Sequence, residues 1–183
     1  MKTILSFCLI LCVTITSAQS HEISTSNSTF SWTGKAAFSS YSLTGKIKVK
    51  NGNVVIEGNQ IHKFNITMDM KTLNHENSDL EYHLRSKDFF EVNTYTEAKF
   101  ELTETTRIVN NRALLKGKLT IKDVTKTETF LIYVNQGQSE ITFNITIDRT
   151  VYGVKFNSPS FFKKLKENAI ADEFIIKGKI LLK

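Results

Sequence analysis

The chain has 183 residues, 40% of them hydrophobic, with a single proline and a formal charge of +6. That length can bury one core without staples. The lysines are dispersed rather than clustered, which argues against nucleic-acid binding and fits either a solvated outer face or a weak pull toward anionic head groups. Both cysteines, Cys8 and Cys12, fall near the N-terminus.

Lys2 precedes an apolar run from Ile4 to Val13, followed by the small residues Thr16, Ser17 and Ala18. This pattern predicts a secretory signal peptide over residues 1–18, cut before Gln19, and leaves 19–183 as a single domain, periplasmic or secreted. Cys12 has the leucine three residues earlier that lipoprotein attachment uses, but the bulky Leu11 directly before it argues against lipidation. No later run approaches the roughly 18 apolar residues of a membrane-spanning helix.

Residues 19–29 are rich in Ser, Thr and Asn and read as a loose lead-in. Phe30 and Trp32 then alternate with polar residues as a first strand. From Tyr41, Leu43, Gly45, Ile47 and Val49 share one parity while Ser42, Thr44, Lys46, Lys48 and Lys50 share the other, giving one dry and one wet face. Asn51-Gly52 predicts a hairpin, with Val54–Glu57 returning. Phe64, Ile66, Met68 and Met70 share the next inward face, and a loop holding His75 follows.

Ser78 to Phe90 is the one mid-chain stretch with a helical signature. Ser78 and Glu81 have capping-box spacing, and Leu80 and Leu84 lie one turn apart. Phe89 and Phe90 then need burial, and their adjacency suggests opposite directions.

Ala98, Phe100 and Leu102 begin the next strand, and Asn110-Asn111 marks a turn. Leu115, Gly117, Leu119 and Ile121 point inward on the following strand. Glu128–Val134 is apolar on both parities and so is expected to be covered outside as well. Ile141, Phe143, Ile145 and Ile147 alternate again. Ser158-Pro159 reads as a helix start, with Phe161, Phe162 and Leu165 as its stripe. Phe174, Ile176, Gly178, Ile180 and Leu182 form the last strand. Eight or nine mostly antiparallel strands with two short helical insertions predict an all-β barrel or sandwich, since no strand–helix–strand rhythm occurs. A barrel of eight strands either fills with side chains or holds one slender ligand, and alternation alone does not decide between them.

The residues of chemistry are sparse. No G-x-S-x-G, H-E-x-x-H or Gly-rich phosphate loop occurs, and Asp172 and Glu173 would face opposite sides of a strand, so an enzyme is not expected. The histidines, His21, His62, His75 and His83, lack metal-ligand spacing, and neither a metal nor a required cofactor is expected.

Three separated blocks resemble one family. His83-Leu84-Arg85-Ser86-Lys87-Asp88-Phe89-Phe90, running on through Tyr95, Ala98 and Phe100, resembles the "HL-S-DFF … Y-T-A-F" signature of the YceI-like exported lipid-binding proteins. Lys116 to Lys126 is similar to its "G-LTIKGVTK" segment, and Asp148-Arg149-Thr150-Val151-Tyr152-Gly153 to its "R-T-Y-G". The chain departs from the pattern at Phe38-Ser39-Ser40-Tyr41, where a His-Ser or His-Gly pair is usual. Asp123 replaces a common glycine and Thr96 a common proline.

The resemblance implies an eight-stranded antiparallel lipocalin-like β-barrel with short capping helices, in which the Ser78 helix is a lid. It implies a carrier or sequestering role for a long-chain polyisoprenoid, a quinone or isoprenyl phosphate, or a fatty-acid-like lipid; transient contact with a membrane surface is compatible with the modest positive charge. Phe64, Ile66, Met68, Leu84, Phe89, Phe90, Phe100, Leu102, Leu119, Phe143, Ile145, Phe162 and Ile176 are the candidate tunnel wall, and Arg85, Lys126 and Arg149 the candidate head-group contacts. For these three cations, pairing with Asp88, Asp148 or Glu128 is the competing role. The alternative reading is a filled-core barrel acting through its outer surface as an exported interaction or stress-response protein. Monomer and homodimer stay open.

Overall fold

The computed structural model describes residues 19–183; the expected signal peptide and both cysteines lie outside the described residues. Ten strands follow one another in antiparallel order: β1 (Gln19–Glu22), β2 (Thr29–Ala36), β3 (Ser42–Glu57), β4 (Gln60–Asn74), β5 (Glu97–Leu102), β6 (Thr106–Arg107), β7 (Arg112–Ile121), β8 (Val124–Val134), β9 (Glu140–Asp148) and β10 (Ile170–Leu181). The sheet runs β3-β2-β10-β9-β8-β7-β5-β4, and β4 pairs with β3 again, so eight strands close into a barrel. Closure removes the exposed edges that an open sheet of this length would present. The short β1 and β6 extend the wall beside β3 and β4.

Alternation along each strand sets what faces in. In β7, Ala113, Leu115, Gly117, Leu119 and Ile121 are buried while Lys116 and Lys118 are exposed. The N-terminal lead-in is more ordered than its composition suggests, because β1 pairs residue for residue with the second half of β3. Asn51-Gly52 makes no hairpin. β3 passes straight through it, with a bulge beside Asn51, and turns only at Gly58, whose φ of +54° suits glycine. Gly52 serves close approach instead: a Cβ there would stand 2.6 Å from the Asn65 carbonyl oxygen and from Ile23. There the sheet neighbour of β3 changes from β2 to β1.

Eight strands leave four connections at one end of the barrel, residues 37–41, 75–96, 122–123 and 149–169. The other end carries the described termini and the connections 58–59, 103–111 and 135–139. The only α-helix among the described residues, α1 (Ser78–Arg85), lies in the 75–96 connection. Its cap sits one residue earlier than the capping box predicts. Asn77 accepts from the Leu80 N–H at 3.0 Å, and Glu81 instead accepts from the His75 N–H at 3.1 Å. Asparagine is as good a cap as serine. The helix stops at Arg85, because Ser86 is extended (φ −71°, ψ 172°) and its hydroxyl turns back to the His83 carbonyl.

Two other expectations fail. Ser158-Pro159 starts one turn, in which the Phe161 and Phe162 N–H groups bond the Ser158 carbonyl, but no α-helix continues it. Phe161 and Phe162 are half-exposed, so no buried face pulls the segment into a helix. The outer face of β8 is also uncovered: Leu131 and Tyr133 are exposed beside Leu114 and Arg112 of β7. Among the described residues no helix is long and apolar enough to cross a membrane.

Candidate functional site

The barrel interior is not filled. A cavity of about 360 Å³ runs inward from the end that carries α1, within the range of roughly 300–1,000 Å³ typical of small-molecule sites. Its deep walls are aromatic and aliphatic, among them Phe30, Leu115, Phe130 and Ile132, and its mouth is edged by Lys35, Tyr41, Glu167 and Ala169.

Three inward glycines explain how a chain with this many rings keeps its interior open. Gly178 of β10 stands directly opposite Phe30 of β2 and Phe143 of β9, and the two rings meet at a centroid distance of 6.0 Å. A Cβ on Gly178 would overlap the Phe143 ring. The missing side chain thus lets that ring lie against the wall instead of projecting into the lumen. Gly45 does the same under Trp32, whose indole N–H reaches across it to the Asn74 carbonyl at 3.2 Å. Gly117 lies under Phe100.

The connections at the mouth are held by specific contacts. Phe89 is buried in a cluster with His83 (5.1 Å) and Phe156 (5.3 Å), while Phe90 meets Phe174 at 6.2 Å. Lys122 donates to the Phe89 carbonyl at 2.8 Å, tying the 75–96 connection to the β7–β8 turn. Both phenylalanines line the cavity. The opposite directions expected of adjacent rings do not arise, because residues 86–92 form turns, to which strand alternation does not apply.

Arg149 is 3% exposed and lines the cavity. Its Nε donates to the Ala171 carbonyl (3.0 Å), Nη1 to Val154 (2.8 Å) and Nη2 to Ile170 (3.0 Å), so one N–H on each terminal nitrogen is left over. Its guanidinium lies 5.8 Å from the centre of the Phe89 ring. Burial lowers its pKa from the usual arginine value, and Asp172 and Asp148 oppose that shift. Arg149 therefore clamps the end of the β9–β10 connection beside an apolar cavity.

β8 and β9 pair only from Ile132 to Val134 against Phe143 to Ile141, which leaves the first half of β8 without that neighbour. Tyr152, in the 3₁₀ turn Thr150–Tyr152, reaches this stretch. It is fully buried and donates to a Glu128 carboxylate oxygen at 2.7 Å. Burial, then the bond to Glu128, pushes its phenol well above the ordinary tyrosine range.

Of the sequence candidates, Phe64, Ile66, Met68, Leu84, Phe89, Phe90, Phe100, Leu119, Phe143, Ile145, Ile176 and Arg149 lie on the cavity wall. Four do not. Leu102 is half-buried near the far end of β5, and Phe162 is half-exposed on the 149–169 connection. Arg85 is spent on structure, its Nε donating to the Leu73 carbonyl at 2.7 Å and Nη1 pairing with Glu81, not Asp88, at 2.9 Å. Lys126 is exposed on the part of β8 that β9 does not flank. Sequence reasoning passed over Phe30, Trp32 and Phe174 as wall residues, although each already stood on an inward parity, and missed Tyr152 as a seam residue because it follows no strand period.

With this geometry in view, comparison with known proteins is decisive for the family. The YceI-like domain model matches residues 21–181. The chain belongs to the YceI-like family. A UPF0312 protein of Staphylococcus epidermidis is 35% identical over 104 residues, covering 52% of this YceI-like chain and 58% of the relative. A UPF0312 protein of Photorhabdus laumondii is 37% identical over 65 residues, 36% of this chain and 33% of its own length. These matches thus span about a third to three-fifths of the relatives. Among solved structures, Burkholderia cenocepacia BcnA superposes with a TM-score of 0.63 at 21% identity, over 86% of this chain and 98% of its own. A polyisoprenoid-binding domain from Saccharophagus degradans gives 0.62 at 11% identity, over 89% and 97%. At such identities the superpositions speak for the YceI-like barrel alone.

Proposed function

We propose that this YceI-like barrel carries or sequesters a long apolar lipid, of the polyisoprenoid or fatty-acyl class, with the chain in the lumen and any polar head toward Arg149. The observation that carries the reading is the cavity itself, open at one end and walled by rings that inward glycines hold flat. Binding of this kind needs no catalytic group. Each buried methylene is worth ~0.8 kcal/mol, so burial grows with chain length against a roughly fixed cost of association. A long chain therefore gains more from apolar walls than a short one. The two unused Arg149 N–H groups suit a quinone carbonyl or a phosphate oxygen, because an ion-assisted hydrogen bond gains strength in a dry site. The Saccharophagus structure, described as a polyisoprenoid-binding domain, supports the same ligand class. The cavity favours this reading over a barrel that acts through its outer surface with a filled core.

Met68 tests the reading, since it is half-buried, lines the cavity and is not among the fully packed residues. Met68→Trp is expected to weaken binding of a long-chain quinone at least tenfold in a fluorescence-quenching titration, with the melting temperature moving by only a few degrees. Undiminished binding by this variant would show that the chain does not occupy the lumen.

A further inference from the structure

The large exposed rings at the mouth end are unusual for a surface that ought to be wet. Phe38 is 71% exposed and Tyr41 63%, both on the 37–41 connection; Phe161 and Phe162 are about half-exposed on the 149–169 connection. The Ala37 N–H donates to the Ala169 carbonyl at 2.8 Å, which fastens the first connection to the base of the second. Tyr41 and Lys35 also edge the cavity. Between Lys155 and Lys166 the chain carries four lysines and no acidic residue. Lys163 and Lys164 are exposed directly after the two phenylalanines, and Lys155 Nζ lies 4.4 Å from the centre of the Phe161 ring. The acids at this end stand elsewhere: Glu76, Asp79, Glu81, Asp88 and Glu91 on the 75–96 connection, Asp123 in the β7–β8 turn, Asp172 bonded to the Ser160 hydroxyl, Glu173 on the cavity wall, and Glu167 after the lysine run.

We infer that this rim, led by Phe161, Phe162, Lys163 and Lys164, docks on an anionic lipid bilayer and sets the cavity mouth against it. Phenylalanine rings enter the interface between head groups and acyl chains, while lysines beside them meet anionic head groups. Continuity with the mouth gives the surface its purpose, because a lipid leaving the bilayer there would cross little water before reaching the lumen. The inference rests on the lipid-carrier reading, and the α1 side of the rim, being acidic, stays away from the bilayer.

Sedimentation with vesicles of phosphatidylcholine alone, and of equal parts phosphatidylcholine and phosphatidylglycerol, tests it. The protein is expected to bind the mixed vesicles and to bind the neutral ones far more weakly. K163A/K164A should lower partitioning onto mixed vesicles about thirtyfold, since each lysine close to an anionic surface strengthens binding roughly fivefold. F161S/F162S should lower it as well, whereas L114S/L131S, on the outer wall away from the mouth, should not. No binding to mixed vesicles, equal binding to both kinds, or a loss caused by L114S/L131S but not by K163A/K164A would overturn the inference. Quinone titration of the same variants without vesicles keeps the two readings apart. Retained uptake with failed docking overturns only the docking surface, and absent uptake by the unaltered protein overturns the carrier.

Discussion

Replacing Gly178 with valine is expected to close the lumen and to destabilise the barrel together. The new Cβ would overlap the Phe143 ring, which already shares the space above Gly178 with Phe30. The free space beside the ring is the cavity that it lines. Overpacking of this kind costs about 1–3 kcal/mol. The displaced ring also takes lumen volume from the ligand, so quinone affinity should fall more than tenfold. Phe143→Ala in the Gly178→Val background supplies the specific check, since removing the ring makes room for the valine. The double variant should recover stability and a good part of the affinity. If it is no better than Gly178→Val alone, the strand has been damaged for a reason other than the clash with Phe143.

The second large effect is expected at Tyr152. Tyr152→Ala removes a fully buried ring beside the stretch of β8 that β9 does not flank, at a cost of about 3–5 kcal/mol. Tyr152→Phe keeps the ring and removes only the donor to Glu128, at about 1–3 kcal/mol, because the carboxylate loses its partner. For a chain of this size each kcal/mol shifts the melting temperature by roughly 2–4 °C, so the two variants are separable by calorimetry. The phenol adds a pH signature. Its pKa is raised in the folded state, so its contribution is complete below the unfolded tyrosine value of about 10 and is lost as pH rises above it. The unaltered protein should lose stability in that alkaline range, and Tyr152→Phe should show a smaller loss. Equal alkaline slopes would mean that Tyr152 is not the group that titrates.

Much of the barrel was legible because strand alternation is a local signal. Parity alone placed Leu115, Leu119, Ile147 and their neighbours inside, and the family resemblance supplied the strand count. The errors fall where the deciding contact is remote in sequence. Asn51-Gly52 has the chemistry of a hairpin, yet β1 and β4 hold β3 extended through it, and no local pattern records those partners. Phe161, Phe162 and Leu165 have helical spacing but no surface to bury against. The openness of the lumen could not be read from phenylalanines and isoleucines, because a packed core uses the same residues. The information lay in Gly45, Gly117 and Gly178, whose parity was visible but whose opposing rings depend on register. Among the cations, Arg85, Lys126 and Arg149 looked alike in sequence. Only the strand ends separate a guanidinium that edges the cavity from one that fastens α1 to β4.

The central claim is that the lumen holds a lipid. It is tested most directly by native mass spectrometry of the freshly purified protein, followed by organic extraction and identification of what is released. The predicted result is a population carrying one amphiphile with a long apolar chain per protein, absent from Gly178→Val and restored toward the original level in Gly178→Val/Phe143→Ala. A protein that carries no lipid when isolated, and takes up no long-chain quinone when offered one, would contradict the account.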